Sequence, residues 1–434
     1  MTKEKLLKTK HLIVGNSAGG IGAAEAIREV DREAPITIVS DEPYLSYSRP
    51  LISKYLTGER TFKNMLFRSP DFYSGNKITS LLGKRVNNLA LSEHTAELES
   101  GERIVWEKLL IASGGVPIIP SMKGMGKRGI FTFTTLGDAR AIDEFMGNTQ
   151  NAVVIGGGLI GISVTEALRK RGAKVTVVEM KGRILNTILD EQASLMAEKT
   201  LEQAGVKVIA GRTVSEINGK ELVRGVVLDN GEDIACSLVV VAIGVSPRTE
   251  LAQGSEIKVN RGIVVDRYMA TSYPDVYSCG DVAEAYDVVY GANRLTPIWP
   301  NAYIGGRVAG YNMAGAEAEY PGGTAMNSLN YFGMDIASAG IAIPPDGNSY
   351  EFLHKQKGSV YQRLVLKDDL IVGMVFVGDI EKSGIVYSLI RERVKVGSFK
   401  KALLSDNFGL ISLPKELLHK RLEKEATIVG GLKR

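Results

Sequence analysis

The sequence predicts an α/β protein in which one strand–loop–helix–strand plan occurs twice and is followed by a smaller α+β module. Three observations predict it. The first is a pair of glycine loops, Gly15-Asn16-Ser17-Ala18-Gly19-Gly20 and Gly156-Gly157-Gly158-Leu159-Ile160-Gly161, each set between an apolar run and a helical pattern. The second is a repeat downstream of each loop. Gly101-Glu102-Arg103-Ile104 leads to Ala112-Ser113-Gly114, and Gly231-Glu232-Asp233-Ile234 leads to Ala242-Ile243-Gly244, with 13 residues from first to last glycine both times. The third is the clustering of 48 glycines, about 11% of the chain against a typical ~7%, at loops rather than at a fixed period.

In the first copy His11–Val14 reads as a buried strand, the run through Ala23, Ala24 and Ile27 as a helix, and Pro35–Val39 as the next strand. In the second copy Ala152–Ile155 is the strand, Val164, Ala167 and Leu168 mark the helix, and Lys174–Val178 forms a strand closing on Glu179. The alternating, turn-broken stretches Val86–Leu98 and Val214–Leu228 predict small antiparallel meanders. From about Ser328 the character changes. Tyr361–Leu366 and Ile371–Val377 alternate like strands, Gly384–Arg393 and Pro414–Glu425 have helical spacing, and no glycine loop occurs. The expected architecture is therefore two Rossmann-like, three-layer (ββα) nucleotide-binding domains and a C-terminal α+β interface domain.

Composition narrows the function. A formal charge of +4 with scattered basic residues gives no case for nucleic acid. The longest apolar stretches, such as Leu238–Ile243, are strand-length and cannot span a bilayer. No apolar signal segment follows Met1–His11, so a cytoplasmic location is expected. Cys236 and Cys279 form no C-x-x-C pair and the four histidines are isolated, so neither a metal site nor an iron–sulfur cluster held by this chain is expected.

A dinucleotide pyrophosphate is a compact dianion. Backbone N–H groups at a helix N-terminus bind it without a lysine, provided glycine lets the backbone come close. A carboxylate about 20 residues on, at the next strand's end, accepts the ribose hydroxyls. The second loop meets the full pattern with Gly156, Gly158 and Gly161, followed by Glu179 23 residues after Gly156. Leu159 and Ile160 complete that loop. Glu179 would repel a 2′-phosphate, which favours NADH over NADPH, although Lys181 and Arg183 stand nearby. The first loop is looser: Gly15, Ser17, Ala18 and Gly20, with serine at the middle position. Ser40 stands where its acid is expected, and Asp41 and Glu42 follow as the candidates.

These residues resemble the FAD-dependent pyridine nucleotide–disulfide oxidoreductases over about residues 10–325. The most specific element is Thr271-Ser272-Tyr273-Pro274-Asp275-Val276-Tyr277-Ser278-Cys279-Gly280-Asp281-Val282-Ala283, similar to the family's second FAD motif. The resemblance implies that Gly280 and Asp281 meet the flavin's ribityl chain. It also implies that Ala112-Ser113-Gly114 and Ala242-Ile243-Gly244 are the A-T-G-like closing elements. It further implies a discontinuous FAD domain, 1–116 plus 248–327, an inserted NAD domain, 117–247, and a C-terminal domain, 328–434. Tyr47-Ser48-Arg49-Pro50 resembles a segment of rubredoxin reductases and related NADH oxidases. That likeness puts Arg49, the one candidate catalytic residue, and Pro50 beside the flavin. Pro300 suits the first turn of a helix, and the family resemblance implies that the N-terminus of this helix, near Asn301 and Ala302, faces the flavin. Family members often carry glutamate two residues after the last glycine of the NAD loop; here that residue is Ser163.

Residues 41–60 contain no cysteine, so the thiol chemistry of the family's disulfide branches is not expected. Cys279 reads as a buried filler. What remains is hydride transfer from NADH to the flavin N5, with reoxidation by oxygen or a small redox protein. Two alternatives stand beside a self-contained oxidoreductase. One is the NADH-reactive flavoprotein subunit of an iron–sulfur complex; Arg49-Pro50, Ser163 and residues 301–315 resemble the NAD-reactive subunit of phenylglyoxylate dehydrogenase. The other is an NADH-sensing flavoprotein. In the family the C-terminal module usually forms a homodimer interface, for which Tyr331, Phe332 and Tyr387–Ile390 are candidate contacts, with core packing an equal reading of the same residues.

Overall fold

The structure, a computed structural model, describes residues 6–415. The chain opens with β1 (Leu6–Val14), α1 (Ala18–Val30) and β2 (Ile36–Ser40). Two short helices, α2 (Ile52–Leu56) and α3 (Phe72–Gly75), lead to β3 (Ile78–Leu82), β4 (Val86–Ala90), β5 (Thr95–Leu98) and β6 (Arg103–Ile111). Strands β3, β2, β1 and β6 are parallel neighbours, so the loops after their C-terminal ends gather at one edge. Parallel strands bury both faces, which is why Ile36, Thr37, Ile38 and Val39 are buried one after another. Strand β6 is shared: its first half pairs antiparallel with β5 in the meander, and Leu109–Ile111 continue the parallel sheet. β1 starts five residues before the expected His11, because Leu6 and Leu7 extend alongside β6 while Lys8 and Lys10 disguise the strand as polar.

The chain then leaves through β7 (Gly115–Pro117) and builds β8 (Ile130–Phe131), α4 (Leu136–Phe145), β9 (Asn151–Ile155), α5 (Leu159–Lys170), β10 (Lys174–Glu179), α6 (Glu191–Gln203) and β11 (Lys207–Ala210). A three-stranded antiparallel meander follows, β12 (Val214–Asn218), β13 (Gly225–Leu228) and β14 (Asp233–Ala235), then β15 (Leu238–Val241). The second parallel sheet has the order β11-β10-β9-β15-β8. The return strand β16 (Val245–Pro247) pairs antiparallel with β7, so the outgoing and incoming connections run side by side.

After β17 (Ile263–Val264), β18 (Val276–Ser278) adds to the far side of β6 and completes the first sheet. β19 (Ala283–Asp287) and β20 (Ala292–Leu295) form a small sheet with β17, and α7 (Trp299–Met313) follows. α7 crosses α1 almost backbone to backbone. A Cβ on Gly306 would lie 2.0 Å from the Gly19 carbonyl oxygen, and one on Gly310 2.3 Å from that of Ala23, so only glycine fits either position. The last module is an antiparallel sheet of β21 (Met326–Tyr331), β22 (Met334–Gly340), β23 (Glu351–Lys357), β24 (Val360–Lys367) and β25 (Leu370–Val377), ordered β21-β22-β25-β24-β23. α8 (Ser383–Arg391) packs on it through Val386, Leu389 and Ile390. The expected helix Pro414–Glu425 lies outside the described residues beyond its first two positions. Among the described residues no helix is long and apolar enough to cross a membrane.

Three of the suggested interface residues turn inward. Tyr331 is buried and its hydroxyl donates to the Leu159 carbonyl oxygen at 3.1 Å, so it seals this sheet onto α5. Leu389 and Ile390 belong to the module's own core, with Tyr387 packed against it. They are internal because α8 needs an apolar face to sit on β25.

Candidate active site

The C-terminal edge of the first sheet opens into a cavity of about 740 Å³. Gly15, Ser17 and Ala18 from the first loop line it, with Asp41 and Glu42 after β2 and Arg49 and Pro50 before α2. Ala112, Ser113 and Gly114 after β6, Gly280 and Asp281 after β18, and Ala302 on α7 complete the predicted set. Gly15 has φ +127° and an added Cβ would sit 2.1 Å from the Ala112 carbonyl oxygen, so the loop turns where no side chain fits. Gly20 lies beneath, outside the cavity, where a Cβ would meet the Gly15 carbonyl oxygen at 1.9 Å. Ser17 is the N-cap of α1, and its side chain makes no capping bond. It occupies the place held by Gly158 in the second copy, where a Cβ meets nothing within 4 Å. That open space explains why serine is tolerated.

The carboxylates after β2 have partners. Asp41 pairs with Arg248 at 2.6 Å. Glu42 accepts from Arg49 Nη2 at 2.5 Å and from the Tyr47 hydroxyl at 2.7 Å. Arg49 Nη1 donates to the Thr134 carbonyl oxygen at 2.7 Å, and the Tyr47 hydroxyl accepts from the Leu136 N–H at 2.9 Å. These bonds tie the Tyr47–Pro50 turn to the start of α4, whose first turn is held by a capping box between Thr135 and Asp138. Burial works against the charge on Arg49, but Glu42, joined by Tyr47 and Asp281, outweighs it and holds the guanidinium above its ordinary value.

Asp281 is different. Burial pushes its carboxyl up, Arg49 pulls it back only in part, and no hydrogen bond within the described residues contributes. A desolvated carboxylate without donors, at the wall of a cavity, is suited to hydroxyl groups brought by a ligand. Beside it Cys279 is buried, its thiol pushed up to about 12 by burial and then by Asp281. A Cβ on Gly19 would come within 2.7 Å of its sulfur, so Cys279 fills the space under α1. Cys236 is likewise buried and pushed up to about 12 by desolvation.

The second loop repeats the geometry at the end of β9. Gly156 has φ +108° and approaches the Ala242 carbonyl oxygen, and a Cβ on Gly161 would lie 1.9 Å from the Gly156 carbonyl oxygen. Glu179 ends β10 as expected, and its two oxygens accept from the N–H groups of Gly157 at 2.7 Å and Lys181 at 2.8 Å. Leu159, Ile160 and Ser163 reach the wall of the same cavity, whereas Gly156, Gly158, Gly161, Glu179, Ala242, Ile243 and Gly244 do not. Glu166, three residues beyond Ser163, is turned away to the Phe332 N–H and Lys170. At the head of α7, Pro300 and Asn301 also lie off the cavity; the Asn301 amide donates to the Thr324 carbonyl oxygen.

Sequence reasoning missed several wall residues: Phe133, Arg248, Trp299 and Tyr331. Thr135 and Asp138 carried the one readable signal, a capping pattern marking α4. The others are brought in by packing between distant elements. Among the described residues no group of histidine, cysteine and carboxylate side chains is placed to hold a metal ion.

The residues present fit a dinucleotide at each loop. A family profile described as pyridine nucleotide-disulphide oxidoreductase matches residues 9–322, and one described as rubredoxin NAD+ reductase C-terminal domain matches residues 326–394. The NADH-dependent phenylglyoxylate dehydrogenase subunit epsilon of Aromatoleum evansii is 31% identical over 92% of this chain and 95% of that subunit. The assimilatory nitrate reductase electron transfer subunit of Bacillus subtilis is 29% identical over 89% of this chain, which spans about half (50%) of that protein. The crystal structure of NADH:rubredoxin oxidoreductase from Clostridium acetobutylicum superposes with a TM-score of 0.76 at 27% identity, covering 92% of this chain and 100% of that one. Family membership implies FAD and a pyridine nucleotide as cofactors. The chain belongs to the pyridine nucleotide-disulphide oxidoreductase family and is one of its flavoprotein oxidoreductases.

Proposed function

We propose that this chain oxidises NADH through FAD and delivers the electrons to a small redox protein, with no cysteine taking part. In this reading FAD lies along the first loop and the Asp281 strand end, on residues 1–116 and 248–327. NADH lies on residues 117–247, and 328–434 forms an interface. The observation that carries it is the single cavity walled both by the first loop and by Leu159, Ile160 and Ser163 of the second. Two nucleotides bound there would meet ring to ring. Flavin, when bound, supplies the exchange between a two-electron hydride donor and other acceptors.

The chain's own residues orient and exclude water. Gly15 gives the pyrophosphate close access to the start of α1. Asp281 accepts hydroxyl hydrogens, and Tyr331 and Phe133 supply apolar wall to the cavity. Glu179, at the ribose end of the second loop, supports NADH over NADPH. A redox-protein acceptor is supported by the rubredoxin-reductase type of C-terminal domain. Anaerobic mixing of the FAD-loaded chain with NADH, read as loss of flavin absorbance, tests the reading. A protein that takes up no FAD, or whose FAD NADH leaves oxidised, would sink it. Brisk oxygen uptake by the isolated chain would instead make oxygen the acceptor.

A second reading has one observation in its favour, the match over 95% of the phenylglyoxylate dehydrogenase epsilon subunit. In that case the chain is the NADH-reactive subunit of a larger complex. Iron–sulfur subunits co-purifying with the natively expressed protein would support this second reading over the first.

A further inference from the structure

We infer that Glu42 is a positioning residue that sets the flavin's midpoint potential by compensating the charge of Arg49. The inference rests on the proposed FAD site, whose cavity Arg49 lines. Glu42 touches Arg49 Nη2 with one oxygen at 2.5 Å and takes the Tyr47 hydroxyl hydrogen with the other at 2.7 Å. The opposite end of the guanidinium fork donates to the Thr134 carbonyl oxygen at 2.7 Å. Arg49 is thus fixed at both ends, and a planar fork tied in this way presents one constant edge to the cavity.

The electrostatic consequence follows from the same contacts. An uncompensated cation lining the cavity would favour the electron-rich, reduced form of a bound flavin. Here a carboxylate at contact distance cancels much of that field, and Asp281 adds a second negative group. Charges in a partly desolvated cavity act more strongly than in water, so the balance between Arg49 and Glu42 is felt at the ring. Glu42 therefore holds the potential below the value that Arg49 alone would set, which keeps the electrons easy to pass on. Tyr47 separates geometry from charge. Its hydroxyl also accepts from the Leu136 N–H at 2.9 Å, so its removal loosens the turn without altering any charge.

The test is an anaerobic redox titration of the FAD-loaded full chain against indicator dyes. Glu42→Gln is expected to shift the potential positive by at least a tenfold change in the oxidised-to-reduced equilibrium, about 30 mV for two electrons. Glu42→Asp, which keeps the charge, should stay near the parent value, and Tyr47→Phe should leave it unmoved. Arg49→Gln should shift it negative, and the double variant Glu42→Gln/Arg49→Gln should return towards the parent. That last pair reads the same balance if Glu42→Gln alone yields no folded protein. A potential unmoved by Glu42→Gln with FAD retained overturns the inference alone, as does an equal shift in Tyr47→Phe. Failure of the parent chain to take up FAD overturns the proposed function instead.

Discussion

Acidification from pH 7.5 to 5.0 is expected to weaken the first sheet through one residue, His11. Its imidazole is fully buried on β1, four residues before Gly15, and neither ring nitrogen has a hydrogen-bond partner. Burial, and then the neighbouring Lys10, lower its pKa from 6.5 to about 4; Asp31 opposes them, while Arg28 and Lys108 add to them. The folded chain keeps the ring neutral, whereas the unfolded chain takes up a proton below pH 6.5. Stability from this group is therefore complete above pH 6.5 and is lost as the pH falls towards 4. At about 1.4 kcal/mol per pH unit, the loss is about 2 kcal/mol at pH 5.0 and roughly 3 kcal/mol at pH 4. His11→Leu removes the titration. Its stability relative to the parent should rise by about 2 kcal/mol between pH 7.5 and 5.0, measured by urea titration with far-UV circular dichroism. A difference between the two proteins that is the same at both pH values would refute the reasoning.

Three further outcomes are expected. Gly15→Ala forces a side chain against the Ala112 carbonyl oxygen, so the flavin-to-protein absorbance ratio of the purified variant should fall to about a tenth or less, at a strain of roughly 2 kcal/mol or more; full flavin content would show that the close approach is dispensable. Glu179→Gln keeps an acceptor but loses the charge held by the Gly157 and Lys181 N–H groups, and the KM for NADH should rise about tenfold. An unchanged ratio of NADH to NADPH use in that variant would remove Glu179 from cofactor selection. Cys279→Ala should cost about 1 kcal/mol of stability and leave NADH-driven flavin reduction within about twofold, because the buried thiol is pushed up to about 12. A much larger kinetic loss with flavin retained would reveal thiol chemistry.

Much of the fold was legible because it is periodic. The two glycine loops, their strands and helices, and both meanders stand where hydrophobic patterning placed them, since each is a local signal. β1 was read five residues too short, its lysines masking the pairing of Leu6 and Leu7 with β6. The site was legible in its backbone parts and less so in its walls. Gly15, Ser113 and Asp281 announce themselves by motif, while Phe133, Trp299 and Tyr331 arrive from separate elements with nothing local to mark them. The sequence named Glu42 as a ribose acid or its neighbour. Its engagement with Arg49 and Tyr47 depends on a turn whose geometry no propensity encodes.

The glycine crossing of α1 and α7 has a consequence for synthesis. The two helices, residues 18–30 and 299–313, are separated by the whole second sheet, and β18 at 276–278 is also needed to finish the first. At about 5–20 residues per second, a ribosome leaves α1 without its partner for roughly 15–60 s. The later-encoded second sheet can close on itself in that interval, while β1–β6 wait with the face of α1 that α7 will cover still open to solvent. A lesion at Gly306 or Gly310 would act there first, by keeping α7 from docking and prolonging that exposure.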